Sequence, residues 1–148
     1  MNGYVVVDAS LAIKWVLNEP YADEALALAS EWASTETRPV APCLLLAEAT
    51  NVLHRRAVLG HISPAHAKEL LTGLLDIGIE VSESRQIHIR ALELAQQLKT
   101  PAVYDTHYLA LADILGCDLW TADEQFFNLV RDREPRVKWL RQLTVRGG

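Results

Sequence analysis

The feature that most limits how this chain can fold is an alternation of element types. Short apolar runs, several of them β-branched, are separated by longer stretches with apolar residues at helical spacing. Tyr4 to Val7, Arg38 to Ala41, Ile79 to Val81, Asp118 to Thr121 and Val137 to Leu140 read as strands. Leu11 to Leu17, Ala22 to Trp32, Leu44 to Leu59, Ser63 to about Ile77, Arg85 to Leu98, Tyr104 or Asp105 through Leu115, and Asp123 to Val130 read as helices. Ser10 is placed to cap the first helix, and Ser63-Pro64 opens the fourth. Thr100-Pro101 stops the fifth, and Gly116 closes the sixth. Strands alternating with helices predict an α/β fold, a parallel sheet wrapped by helices in three layers. No repeat, linker or low-complexity stretch interrupts the 148 residues, so residues 1–148 read as one domain. The helix pair 44–77 is expected to project as a hairpin and to offer a surface for self-association.

Charge and cysteine content narrow the function classes. A net charge of −5 excludes a globally basic nucleic-acid coat. Arg131 to Arg146 nevertheless holds six basic residues against two acidic ones. That strip reads either as a solvated face or as a phosphate-facing or partner-facing one. Cys43 and Cys117 lie in apolar surroundings without a Cys-x-x-Cys pair, so two buried free thiols are expected rather than a zinc site. No apolar run approaches the roughly 20 residues of a membrane span. The N-terminal Val-Val-Val-Asp-Ala-Ser lacks a signal-peptide pattern. A cytoplasmic protein without membrane contact is the expectation.

The acids carry the chemistry. Asp8 follows one apolar strand and Asp123 lies just past another, where ligands of open α/β sheets bind. Glu48 interrupts an apolar helix, and Asp105 stands at the polar opening of a strongly apolar one. Each also has a structural use: Asp105 as an N-cap, Asp8 and Asp123 as turn residues. A lone carboxylate in Glu48's surroundings is costly. Clustered carboxylates repel one another and take up protons. A divalent cation resolves the conflict, and an all-oxygen donor set selects Mg²⁺ or Mn²⁺. Such a site suits phosphodiester hydrolysis by a metal-activated water, and its cations let an acidic protein approach a polyanion. Ser10, Thr121 and Asn51 are placed to orient carboxylates or waters. Asn51 lies on the Glu48 face of its helix, whereas Ser10 and Thr121 fit capping and turn roles equally well.

Four segments in order, Val-Val-Asp-Ala-Ser, Leu-Ala-Glu-Ala-Thr-Asn-Val-Leu, Tyr-Asp-Thr-His-Tyr-Leu-Ala-Leu-Ala and Leu-Trp-Thr-Ala-Asp-Glu-Gln-Phe, resemble the PIN-domain ribonucleases. Within them, the resemblance is to VapC-like toxins of toxin–antitoxin pairs. It covers nearly the whole chain and matches the family's four acids to Asp8, Glu48, Asp105 and Asp123. It implies an α/β/α sandwich with about five short parallel strands, Mg²⁺- or Mn²⁺-dependent endoribonuclease activity on an RNA substrate, and a homodimer. It also implies a small antitoxin protein whose C-terminal segment blocks the acidic site. Thr106 departs from the Ala common at that position.

Other acid-bearing folds fit less well. Haloacid-dehalogenase-like phosphatases need a second aspartate where Ser10 stands, and receiver domains pair adjacent early acids. Ribonuclease H-like nucleases begin with a long antiparallel sheet, whereas this chain enters helices after one strand. Two alternatives stay open: a housekeeping PIN-type RNA-processing nuclease without an antitoxin, and a non-catalytic protein whose acids hold an ion or a basic partner. Trp15, Trp32, Trp120 and Trp139 read as packing residues. Arg55 and Arg56 read as solvated helix residues with RNA phosphate as the second reading. His107 is placed either near the site or on the helix surface.

Overall fold

The computed structural model describes residues 3–143. In chain order the elements are β1 (Tyr4–Val7), α1 (Ala9–Ala12) with a following 3-10 turn (Ile13–Trp15), α2 (Ala22–Ser34), β2 (Arg38–Pro42), α3 (Leu44–Val58) and α4 (Pro64–Asp76). Then come β3 (Glu80–Ser82), α5 (Arg85–Leu98), α6 (Tyr104–Leu115), β4 (Leu119–Thr121), α7 (Glu124–Val130) and β5 (Val137–Trp139). The five strands form one sheet in the order β3-β2-β1-β4-β5, with every pair parallel.

Because side chains alternate across a strand, β1 divides the core. Val5 and Val7 face Ala25, Leu28 and Trp32 of α2, with Leu11 and Leu140. Val6 faces the larger cluster built from α3, α5, α6 and α7. Helices on both faces of a parallel sheet make the three-layer α/β/α sandwich. They also explain why β1 is apolar on both sides. The tryptophans pack: Trp32 meets Trp15 and Trp120 edge to face at 6.2 and 6.4 Å, and Trp139 stacks on Phe127 at 5.3 Å.

Local chemistry sets most element ends. Ser63 accepts the His66 amide at 3.0 Å, and Ser84 that of Ile87 at 3.3 Å. Gly116 takes the left-handed conformation (φ +67°) that ends α6. One cap differs from expectation. The first helix is capped by Asp8, whose Oδ1 accepts the Leu11 amide at 3.1 Å, and it begins at Ala9. Ser10 lies inside that helix and turns its hydroxyl back onto Asp8 at 2.7 Å. The thiols also differ from expectation: Cys43 is exposed and Cys117 half-buried. Cys43 sits at the strand-to-helix turn before Leu44, where apolar neighbours in sequence point inward while it points out.

The sheet order places the site. From β1 the chain moves one way to β2 and β3, then returns to the other side of β1 for β4 and β5. The carboxyl ends of β1 and β4 therefore flank a topological switch point, where connecting segments diverge and leave a crevice. Asp8 follows β1 directly, and Asp123 follows β4 by two residues.

Candidate active site

Asp8, Glu48, Asp105 and Asp123 line one cavity of about 240 Å³ at this switch point, together with Ser10, Asn51 and Tyr108. Four elements converge to build it. The ends of β1 and β4 supply Asp8 and Asp123, α3 supplies Glu48 and Asn51, and α6 supplies Asp105 and Tyr108.

Asp8 is the most buried acid, 4% exposed. Oδ1 accepts from Ser10 and from the Leu11 amide, and Oδ2 accepts from the Thr121 hydroxyl. Thr121 in turn accepts the Asp123 amide at 2.9 Å, and Ser10 accepts the Ala122 amide at 3.0 Å. Both hydroxyls thus tie the β4 turn to the Asp8 carboxylate. Even with these donors, burial pushes the Asp8 carboxyl up to about 7, and the charge of Asp105 adds to the rise.

Asp105 sits in the first turn of α6 but does not cap it, since Val103 holds the cap position without a side-chain bond. Its carboxyl is raised to about 6 by burial and by the charges of Asp123 and Glu48. Asp123 does cap: Oδ1 accepts the Phe126 amide at 3.2 Å and starts α7. Its structural and cavity-facing roles coexist on one side chain. Glu48 is half-buried at the cavity wall rather than enclosed in the core, because its face of α3 borders the crevice. The Tyr108 hydroxyl donates to Glu48 Oε1. Burial and that neighbouring negative charge push the Tyr108 phenol up, so it remains a donor.

The donor set fits a hard divalent cation in kind: it is oxygen only and mutually repelling, and burial raises the carboxyls of Asp8 and Asp105. Among the described residues no three acidic, histidine or cysteine side chains are drawn together tightly enough to grip an ion as they stand. Mutual repulsion is the physical reason for carboxylates to stand apart around a shared cavity.

Several residues fall outside the cavity. Thr106 is fully buried and donates to the carbonyls of Ala91 and Val103, both at 2.9 Å, so it locks α6 onto α5. His107 donates Nδ1–H to the Val103 carbonyl at 2.6 Å, and its other nitrogen meets His88 Nδ1 at 2.9 Å. Arg56 pairs with Glu19 at 2.6 Å, beside Lys14. The basic strip is largely committed within the fold. Arg133 and Arg136 donate to backbone carbonyls, Arg131 covers the Phe127 ring, and Arg141 bridges Trp139, Tyr21 and Glu124. Its last member, Arg146, lies outside the described residues.

The PIN domain family model matches residues 5–132, most of the chain and a span that includes all four acids. The chain belongs to the PIN domain family. PIN domains are generally nucleases, so the cavity belongs to a nuclease fold. The protein PAE2754 from Pyrobaculum aerophilum has a similar structure, with a TM-score of 0.69 and 23% identity over 97% of this chain and 95% of that one. A toxin–antitoxin complex from Klebsiella pneumoniae contains a chain with a TM-score of 0.61 and 18% identity, covering 92% of this chain and 97% of its own. At these identities both similarities establish the fold. A search of the curated proteins finds no match. Among the described residues, no helix is long and apolar enough to cross a membrane.

Proposed function

We propose that this PIN domain is a divalent-cation-dependent endoribonuclease and the toxin partner of a toxin–antitoxin pair, acting in the cytoplasm as a homodimer. The observation that carries the catalytic reading is the convergence of Asp8, Glu48, Asp105 and Asp123 on one cavity at the switch point of a parallel sheet. Asp8 and Asp105 would hold Mg²⁺ or Mn²⁺, with Glu48 and the uncommitted oxygen of Asp123 completing the oxygen set. When bound, the cation supplies charge neutralisation of the phosphate and a lowered pKa for water. The chain's own part is positional. Ser10, Thr121 and the Leu11 amide fix the Asp8 carboxylate, and Tyr108 fixes Glu48. Asp105, raised to about 6, gives up a proton near neutrality and leaves its carboxylate free to bind. The attacking group is water in line with the departing oxygen, and no side chain forms a covalent bond to phosphorus. The preference for RNA over DNA rests on the family.

The partner readings have their own support. A chain of this fold occurs in a toxin–antitoxin complex. The α3–α4 hairpin exposes Val58, Leu59, Leu75 and Ile77, apolar side chains suited to a second copy. The cysteines are free, as in a reducing compartment. Purified protein given Mn²⁺ and RNA is expected to leave 5′-phosphate and 3′-hydroxyl ends. Products ending in 2′,3′-cyclic phosphate would put the nucleophile on the RNA and overturn the mechanism. Light scattering is expected to give a dimer, and a monomer at high concentration would contradict the assembly.

A further inference from the structure

Beside the acidic cavity lies a second hollow of about 350 Å³, between the segment Thr100–Tyr104 and α7. Asp105 and Asp123 border both spaces. We infer that this second hollow is a nucleobase subsite, with the Tyr104 ring as its stacking platform and the Gln125 amide at its polar edge. The inference rests on the nuclease reading of the acidic cavity and adds where the nucleotide beside the reacting phosphate goes.

Three observations select this occupant. The first is shape and surface. Phe126 is buried beneath the hollow, Pro101 and Leu129 wall it, and Tyr104 stands 59% exposed at its lip. A large aromatic ring left in water beside an apolar hollow is a poor outcome for packing but a ready surface for a flat, uncharged partner. The second is charge. Among the described residues, no lysine or arginine lines the hollow, and its only carboxylates are the two it shares with the acidic cavity. A phosphate is repelled from such a space, whereas an uncharged base is not. The third is hydrogen bonding. Thr100 spends its hydroxyl on the Ala102 carbonyl at 2.7 Å. The side chains of Tyr104 and Gln125 make no hydrogen bond to any described residue. An amide offers both donors and an acceptor to a base edge. The shared border at Asp105 and Asp123 places the base next to a phosphate held at the acids. The larger apolar groove of about 450 Å³ between α3 and α4 borders none of the four acids.

Anisotropy of a fluorescein-labelled short single-stranded RNA, titrated in Ca²⁺ against wild type, Tyr104→Ala and Tyr104→Phe, tests the subsite. Tyr104 is exposed, so its truncation leaves the core intact, and Tyr104→Phe keeps the ring. Loss of the ring is expected to weaken binding about tenfold, within the range of one stacked base, while Tyr104→Phe stays near wild type. A set of the same RNA with an abasic ribose at each position in turn is expected to contain one member that binds wild type about tenfold more weakly. Tyr104→Ala is expected to lose little further on that member. Equal binding of every abasic RNA by wild type, or undiminished RNA binding by Tyr104→Ala, overturns the subsite. So does a Tyr104→Ala protein that binds RNA fully but loses a protein partner, which would make the hollow a peptide seat. Cleavage in Mn²⁺ separates the two claims. Ring-independent cleavage sinks the subsite alone, ring-dependent binding without cleavage sinks the nuclease reading alone, and absence of RNA binding sinks both.

Discussion

Thr121, fully buried at the end of β4, donates its hydroxyl to the Asp8 carboxylate at the end of β1 and accepts the amide of Asp123. One side chain thereby holds two of the four acids across the switch point of the sheet. Thr121→Val keeps the shape and removes both bonds. The expected cost is about 1–3 kcal/mol of stability, from a buried carboxylate oxygen and an amide left without partners. Because that hydroxyl lowers the Asp8 pKa, its loss lets burial raise the carboxyl further. The rising limb of the pH–rate profile is expected to move to higher pH, while Thr121→Ser stays near wild type. An unmoved profile in a folded Thr121→Val protein would mean that Thr121 only supports the turn.

Asp8 makes the metal-free protein pH-sensitive in a defined direction. Its folded pKa of about 7 lies above the ordinary value of 3.8. The group's contribution to stability is therefore fully present below pH 3.8 and lost as pH rises through 7. At pH 8 the burden is on the order of 4 kcal/mol as an upper bound. In EDTA, Asp8→Asn is expected to melt at higher temperature than wild type at pH 8, with the gap closing by pH 4. Mn²⁺ is expected to stabilise wild type more as pH rises from 5.5 to 8, because it competes with protons on Asp8 and on Asp105, whose carboxyl is raised to about 6. Thermal melts from pH 4 to pH 8 check both statements.

Tyr108 fixes Glu48 from the neighbouring helix. Tyr108→Phe removes the hydroxyl and leaves the buried ring in place, at a cost of about 1 kcal/mol. Glu48 then loses its orientation, so kcat is expected to fall with KM for RNA little changed. A rise in KM alone would assign Tyr108 to substrate binding instead.

Much of this was legible in the residues because local rules and global fold agree. The bounds of α5 follow from apolar periodicity and a Thr-Pro stop, and the five strand runs from bounded apolar stretches. What stayed hidden was set by tertiary contact. Asp8 and Ser10 are both capping residues, and only the approach of β4 shows that Asp8 caps while Ser10 bonds to it. Glu48 looked enclosed because its neighbours are apolar, yet its face of α3 opens on the crevice. Tyr108 carried a usable signal, three residues after Asp105 and so on the same helical face. Its reach to Glu48 depends on how α3 and α6 meet. The basic strip read as a solvated face or as a phosphate-facing or partner-facing one, whereas stacking and carbonyl bonds engage its described arginines.

The central claim is that four carboxylates at one switch point perform cation-dependent RNA cleavage. Its most direct test measures cleavage of RNA by wild type, Asp8→Asn and Asp105→Asn, each in Mn²⁺ and in excess EDTA, with circular dichroism confirming the fold. Wild type is expected to cut in Mn²⁺, stop in EDTA and resume when Mn²⁺ is restored, while both variants remain folded and inactive. Full cleavage by either variant, or by wild type in EDTA, would contradict the account.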